Sequence, residues 1–337
     1  MITLALLSAA SLIFWTDPGA VASVDFGRPA QGAQPPEIPL TFVREEMGGN
    51  SAKVLLRDAQ GVLWQAKGGP EARAEAFVTR LVSALGYYAE TVVFVRDGRL
   101  DGVSSGLRRA SGFLRADGAF TWAGLERRDP SVKFLKNVTW NWNDFDSREV
   151  KGLRIVTMLV SNWDNKDGRN GRLGPNTGVL QTPVNRVAFV TDWGQSLGAW
   201  GRFRFQRSNW NCGDFAAQTP RFVRGVRNGV VSFGYQGQHT NDFTAGITIE
   251  DVKWLMQWLG QITDAQLRVG LLASGATADE EVCFAKALRQ RIEALRGVTM
   301  NSDVHLDLPE VRRGSVSVGQ RVPSMPGSRR DAIARTR

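Results

Sequence analysis

Histidine and cysteine are scarce in this 337-residue chain, which has only His239, His305, Cys212 and Cys283. Two of each at wide spacing cannot make a zinc site, because zinc ligands come in close pairs. The two cysteines leave two readings open: a disulfide, which suits an exported chain, or two unrelated thiols. A G-x-x-x-x-G-K-[ST] loop and a G-x-S-x-G elbow are both missing, so neither P-loop nucleotide binding nor α/β-hydrolase chemistry has support. There are no internal repeats. Asp144-Phe145-Asp146 matches the D-x-D of metal-dependent glycosyltransferases, but no nucleotide-binding α/β region precedes it.

Long apolar runs are missing too. Ile2 to Trp15 is largely apolar, but its length of about 14 residues falls short of the roughly 20 that cross a bilayer. Asp17-Pro18-Gly19 then breaks any helix, and Ala20-Val21-Ala22 is a small-x-small pattern before Ser23. Residues 1–22 therefore read as an export signal, although no Lys or Arg precedes the apolar run. Export would place the chain in the periplasm or outside the cell. A segment that is not a working signal would leave it in the cytoplasm.

What is abundant is glycine and tryptophan, with 36 and 11 residues, which points to many turns and an aromatic-rich core. The net charge of +9 suggests nucleic acid until it is localised. Seven Arg and one Asp lie between Val311 and Arg337, so six of the nine charges belong to the tail. The rest carries too little charge for a specific nucleic-acid surface. Residues 309–337 read as a basic, disordered tail, and residues 23–38, rich in Gly, Pro, Gln and Ala, as a linker.

Between them, apolar alternation and turn spacing predict an antiparallel meander of Pro39–Arg44, Lys53–Arg57 and Val62–Lys67. A helix follows from Pro70 to Leu85, then a strand at Val92–Arg96 ended by an Asp97-Gly98 turn. Further on come a helix at Arg148–Ser161 and a buried strand at Arg186–Thr191. Three helices near 249–259, 264–273 and 278–296 close the chain, the last two opened by Thr-x-x-Gln and Thr-x-x-Glu capping boxes. The order gives an α+β chain with a small β-rich part at 39–128 and a larger, mainly helical part at 129–308, with a cleft between them where a ligand sits.

One set of residues in that order suits phosphoryl transfer, which needs a phosphate cradle, a fixed cation, metal-holding carboxylates and a group to position the acceptor. Gly48, Gly49 and Ser51 lie in the loop joining the first two strands, where backbone N–H groups can approach phosphate oxygens; the alternative is a plain hairpin. Lys67 ends the third strand and needs a partner or solvent. Glu75 shares a helix face with Val78, Val82 and Leu85, so a buried carboxylate faces that ammonium; Glu71 is its rival. Ser161 to Asn170 concentrates Asp164, Asp167 and several amides after an apolar helix. Asp192 follows a buried strand and precedes Trp193-Gly194, which suits a metal ligand. Trp200, Arg202, Arg204 and Arg207 form a basic, aromatic patch nearby, suited to an acidic substrate or to an edge strand.

With these motifs in place, residues 41–201 resemble the atypical kinase group that includes HipA-like kinases, type II phosphatidylinositol 4-kinases and secreted kinases of the Golgi. They also resemble a set of bacterial proteins sharing the Asn-Trp-Asp-x-Lys-Asp stretch. The resemblance implies a bilobal kinase-like fold, ATP with Mg²⁺ or Mn²⁺, Lys67 on the phosphates with Glu75 as its partner, and Asp164 as catalytic base. It also implies Asn170 and Asp192 as metal ligands, with Asp192-Trp193-Gly194 standing where D-F-G stands. Asp164 and Asn170 are six apart where five is usual, so either the loop bulges or Asp167 takes a role. The expected function is metal-dependent transfer of the γ-phosphoryl group to a protein, lipid or small-molecule hydroxyl. The alternatives are an exported, non-catalytic pseudokinase-like binding protein and a metal-dependent hydrolase built on Asp164, Asp167 and Asp192.

Overall fold

The structure, a computed structural model, describes residues 12–48, 51–103 and 106–300. Gly49 and the basic tail lie outside them. The chain enters the fold early: Leu12–Ile13 forms a short strand, β1, parallel to residues 186–187. Phe14 packs edge-on against Trp140 and Phe145, and Trp15 packs edge-on against Trp254 and at a tilt against Trp258. Val21 is fully buried. Phe14 and Val21, within the segment read as an export signal, are therefore core residues, and cleavage after Ala22 would remove their contacts. Residues 23–38 pack as well, with Phe26 and Ala30 buried.

The expected meander is present as β2 (Leu40–Glu46), β3 (Lys53–Arg57) and β4 (Leu63–Gly68), all antiparallel. Helix α1 (Pro70–Ala84) follows, with Pro70 in its first turn, where proline's missing N–H costs nothing. β5 (Val92–Asp101) and β6 (Ala119–Arg128) complete a closed barrel in the order β2-β3-β4-β6-β5. Its interior holds Val54, Leu56, Trp64, Ala66, Leu100, Phe120 and Leu125. Two sequence expectations change here. β5 runs through Asp97-Gly98 instead of turning there, because Gly98 leaves room for the Phe120 ring: a Cβ at that position would stand 2.2 Å from it. The Thr121-Trp122 segment, not foreseen as strand, lies within β6, the barrel strand between β4 and β5.

The second half builds a different core. β7 (Lys133–Phe134) precedes α2 (Arg148–Leu159), and β8 (Thr177–Gln181) with β9 (Arg186–Val190) follow it. These strands form a sheet in the order β1-β9-β8-β7. Next come α3 (Cys212–Ala217), the hairpin β10 (Val223–Arg227) and β11 (Val230–Phe233), and α4 (Thr240–Thr244). The last helices are α5 (Ile249–Leu259), α6 (Asp264–Ala273) and α7 (Ala278–Met300). Capping boxes open α5 and α6, and Thr277 and Glu280 exchange the same pair of bonds at the start of α7. The fold is thus mixed, β-rich first and helical later. No helix among the described residues is long and apolar enough to cross a membrane.

Cys212 and Cys283 form a disulfide that ties α3 to α7, with Cα atoms 6.1 Å apart. Closing a loop of this length removes chain entropy from the unfolded state worth about 4 kcal/mol. Replacing both cysteines by serine is expected to lower stability by that order in urea unfolding. Phe14→Ala, by emptying an aromatic contact in the core, is expected to cost about 3 kcal/mol in the same assay.

Candidate functional site

Two elements of the barrel region bring the first charges together. Lys67, near the end of β4, and Glu75, on the inward face of α1, meet with Nζ to Oε2 at 2.6 Å. Both are buried, at 8% and 4% exposure. Asp192, two residues beyond β9, places Oδ1 at 3.9 Å from the same Nζ. Burial works against the Lys67 charge, but Glu75 and Asp192 outweigh it and raise the ammonium's pKa. Burial raises the Glu75 carboxyl to about 7, with Lys67 opposing. Near neutral pH, Asp192 therefore supplies part of the countercharge that keeps Lys67 an ammonium.

Glu71 stands one turn before Glu75 and joins the same corner. Its carboxylate accepts from Ser51 Oγ at 3.1 Å and from Gln195 Nε2 at 2.5 Å. It therefore links the loop after β2 to the turn after β9. The approach is close: a Cβ on Gly194 would lie 3.0 Å from Glu71 Cβ and 3.1 Å from Asp192 Oδ1. Gly194 also donates its N–H to Asp192 Oδ1 at 2.8 Å, fixing the carboxylate's direction. Gly48 is exposed in that loop.

The loop after α2 supplies Asp164. Ser161 ends the helix in a left-handed conformation, φ 51°, where a non-glycine residue needs support. Arg291 of α7 gives that support, donating to Leu159 O at 2.7 Å and Ser161 Oγ at 2.8 Å. Asn162 then bridges outward, donating to Asp192 O at 3.0 Å while its Oδ1 accepts the Asp164 N–H at 3.2 Å. Asn176 donates to Asp164 Oδ2 at 2.9 Å, and its carbonyl accepts the Thr191 N–H at 2.9 Å. The Asn162 side chain thus cross-links Asp164 and Asp192, and Asn176 ties Asp164 to Thr191, the residue before Asp192. Lys166 Nζ at 3.1 Å and Gln238 Nε2 also engage the Asp164 carboxylate.

Asn170 and Asp167 face elsewhere. Asn170 Oδ1 accepts the Asp167 N–H at 2.9 Å and meets His239 Nε2 at 2.9 Å. No hydrogen bond or ion pair joins Asn170 to Lys67, Glu75 or Asp192 among the described residues. Asp167 is fully buried and receives Nε and Nη2 of Arg169, with the Trp142 N–H at 3.2 Å. Burial opposes its charge, yet these bonds hold the carboxyl below its usual range. In the basic patch, Arg207 lies 3.8 Å over the Trp200 ring and 5.5 Å from Trp163. Asn176, Gln195 and Gln238 escaped the sequence reading, whereas Glu71 entered it as the rival to Glu75 and Asn162 as one of the amides of the Ser161–Asn170 stretch.

The shifted Glu75 carboxyl makes stability depend on pH. Its folded pKa of about 7 lies above the ordinary 4.5, so the folded state holds the proton more tightly. The stabilisation is full below pH 4.5 and is lost as pH rises through 7. Glu75→Gln is expected to remove that decline. The stability difference between variant and wild type should drift by on the order of 3 kcal/mol between pH 4 and 8 in urea midpoints.

No protein-family model matches the chain, and no curated protein does. Among solved structures it is similar to one titled the crystal structure of the Golgi casein kinase, with a TM-score of 0.33 and 12% identity. The match covers 84% of this chain and 79% of that one, an overlap too loose to assign fold or activity.

Proposed function

We propose that this chain is an ATP-dependent phosphotransferase of the atypical kinase type, with a small β-rich lobe set against a larger helical one. The observation that carries this reading is the convergence of Lys67 with Glu75 and Asp192, drawn from β4, α1 and the end of β9. A buried ammonium kept charged by two carboxylates is a fixed cation suited to nucleotide phosphates. Ser51, tied to Glu71, brings the loop that holds Gly48 to the same corner.

The donor set fits Mg²⁺ or Mn²⁺. Among the described residues no group of three or more His, Cys, Asp or Glu side chains could hold a metal ion alone. Nucleotide-bound magnesium uses one or two carboxylates, with water and phosphate oxygens completing its shell. Asp192 would hold the ion, and Asn170 would join only by leaving both the Asp167 N–H and His239. The metal, when bound, would neutralise charge developing on the phosphate oxygens. Asp164 would orient the acceptor hydroxyl and take its proton as the new O–P bond forms and the bond from the γ-phosphorus to the β,γ-bridging oxygen breaks, releasing ADP. Asn162 and Asn176 would keep Asp164 and Asp192 in register. The acceptor is a protein, lipid or small-molecule hydroxyl, and the disulfide favours an oxidising, exported setting.

A second reading, nucleotide binding without transfer, is favoured by the crowding of Asp164. Its carboxylate is engaged by Lys166, Asn176 and Gln238. Calorimetry with Mg·ATP and a turnover assay separate the two. Wild type is expected to bind and turn over ATP, and Asp192→Ala to lose on the order of 100-fold or more in rate. Lys67→Ala should weaken nucleotide binding. Binding without turnover selects the second reading. Failure of the wild type to bind at millimolar nucleotide discards both, and metal-dependent hydrolysis untouched by Lys67→Ala selects a hydrolase.

A further inference from the structure

Beside the C-terminal part of α1, at Arg80, Ser83 and Ala84, a cavity of about 560 Å³ lies beneath the strap of residues 13–32. Its walls include Phe14, Trp15, Phe26, Tyr87 and Val187, which are apolar over most of their surface. Arg80, near the end of α1, also lines it and is only 5% exposed. Arg80 Nη1 donates to Ala76 O and, at 3.2 Å, to Ser274 Oγ, while Nε has no partner. No carboxylate pairs with Arg80 among the described residues. The two wall carboxylates are engaged locally, Asp17 by the Gly19 N–H and Asp25 by the Gly27 N–H, each at 2.8 Å, and Asp25 also pairs at 3.6 Å with Arg28, the other guanidinium of the wall. Burial pushes the guanidinium's pKa down to about 10, so it remains charged near neutrality.

A buried cation without a counter-ion is costly, and an anion supplied from outside relieves that cost. Nε is enclosed by the fold and Nη1 is taken, so Nη2 is the donor left for one oxygen of an incoming carboxylate. Aromatic and aliphatic walls suit a hydrocarbon body and disfavour a sugar or a free phosphate, and the volume is that of a small-molecule site. We propose that this cavity binds an amphipathic carboxylate, such as a medium-chain fatty acid, with its head on Arg80 and its tail along Phe14, Trp15 and Phe26. The site is separate from the Lys67 corner and stands whether or not the chain transfers phosphate.

Titrating the full chain with decanoate and with decanol, by calorimetry and by tryptophan emission, tests the site. Decanoate should bind saturably and alter the tryptophan emission, and decanol should bind at least roughly tenfold more weakly. Arg80→Met should erase that preference, and Val187→Phe, which fills the cavity, should abolish binding. Equal affinity for acid and alcohol, binding that survives Val187→Phe, or no saturable binding at millimolar decanoate would overturn the proposal. If Arg80→Met fails to fold, the acid–alcohol contrast in the wild type decides.

Discussion

An ammonium removed from water must be given negative charge within a few ångströms, and Lys67 receives it from two directions. Glu75 comes from the helix that follows the strand of Lys67 in sequence, so that half of the arrangement is local. Asp192 comes from far along the sequence, after a β-sheet that also includes the first described residues of the chain. The barrel, α1 and the β8–β9 hairpin therefore cannot shift independently without exposing or stranding a charge. Breaking such a pair by removing one partner commonly costs about 3–5 kcal/mol, more than most single packing contacts.

The helical half is organised by buried guanidinium groups that meet carbonyl oxygens instead of carboxylates. Arg154 gathers the carbonyls of Asp242, Phe243 and Ala245 at the end of α4. Arg291 gathers those of Leu159 and Phe215 while its plane lies 3.8 Å over the Phe215 ring. Cations at helix C-termini complement the helix dipole, and these two also fix where the next loop begins. Arg154 thereby holds α4, whose neighbours Gln238 and His239 reach Asp164 and Asn170. Arg291 sets the start of the Asp164 loop itself.

Much of the β-rich half was legible because its signals are local. The meander follows from alternation and turn residues, and the placing of Glu75 follows from its spacing to Val78 and Val82. β6 was not legible: Trp122 has φ 57° and Gly124 interrupts the side-chain pattern, so no clean period of two survives. Arg291 sits among charged residues on a long helix and looks like one more solvated arginine until α3 is seen to cover it. Asn176 and Gln238 lie in polar loops distant in sequence from Asp164, and no pattern along the chain pairs them with it. Asp167 belonged to the right loop, but its partner Arg169, two residues away, turns it inward.

The barrel seam shows how such a small sheet ends safely. β2 and β5 are joined by only two residue pairs, Leu40 with Leu100 and Thr41 with Asp101. Farther along β2, Glu45 reaches across instead, and its carboxylate accepts the N–H groups of Arg108, Arg109 and Ala110. A side chain thus does the work of a missing rung, and the flank beside it is guarded by charge against a foreign strand. The strand end leading to Gly48 is thus anchored by one carboxylate and not by ladder bonds to β5.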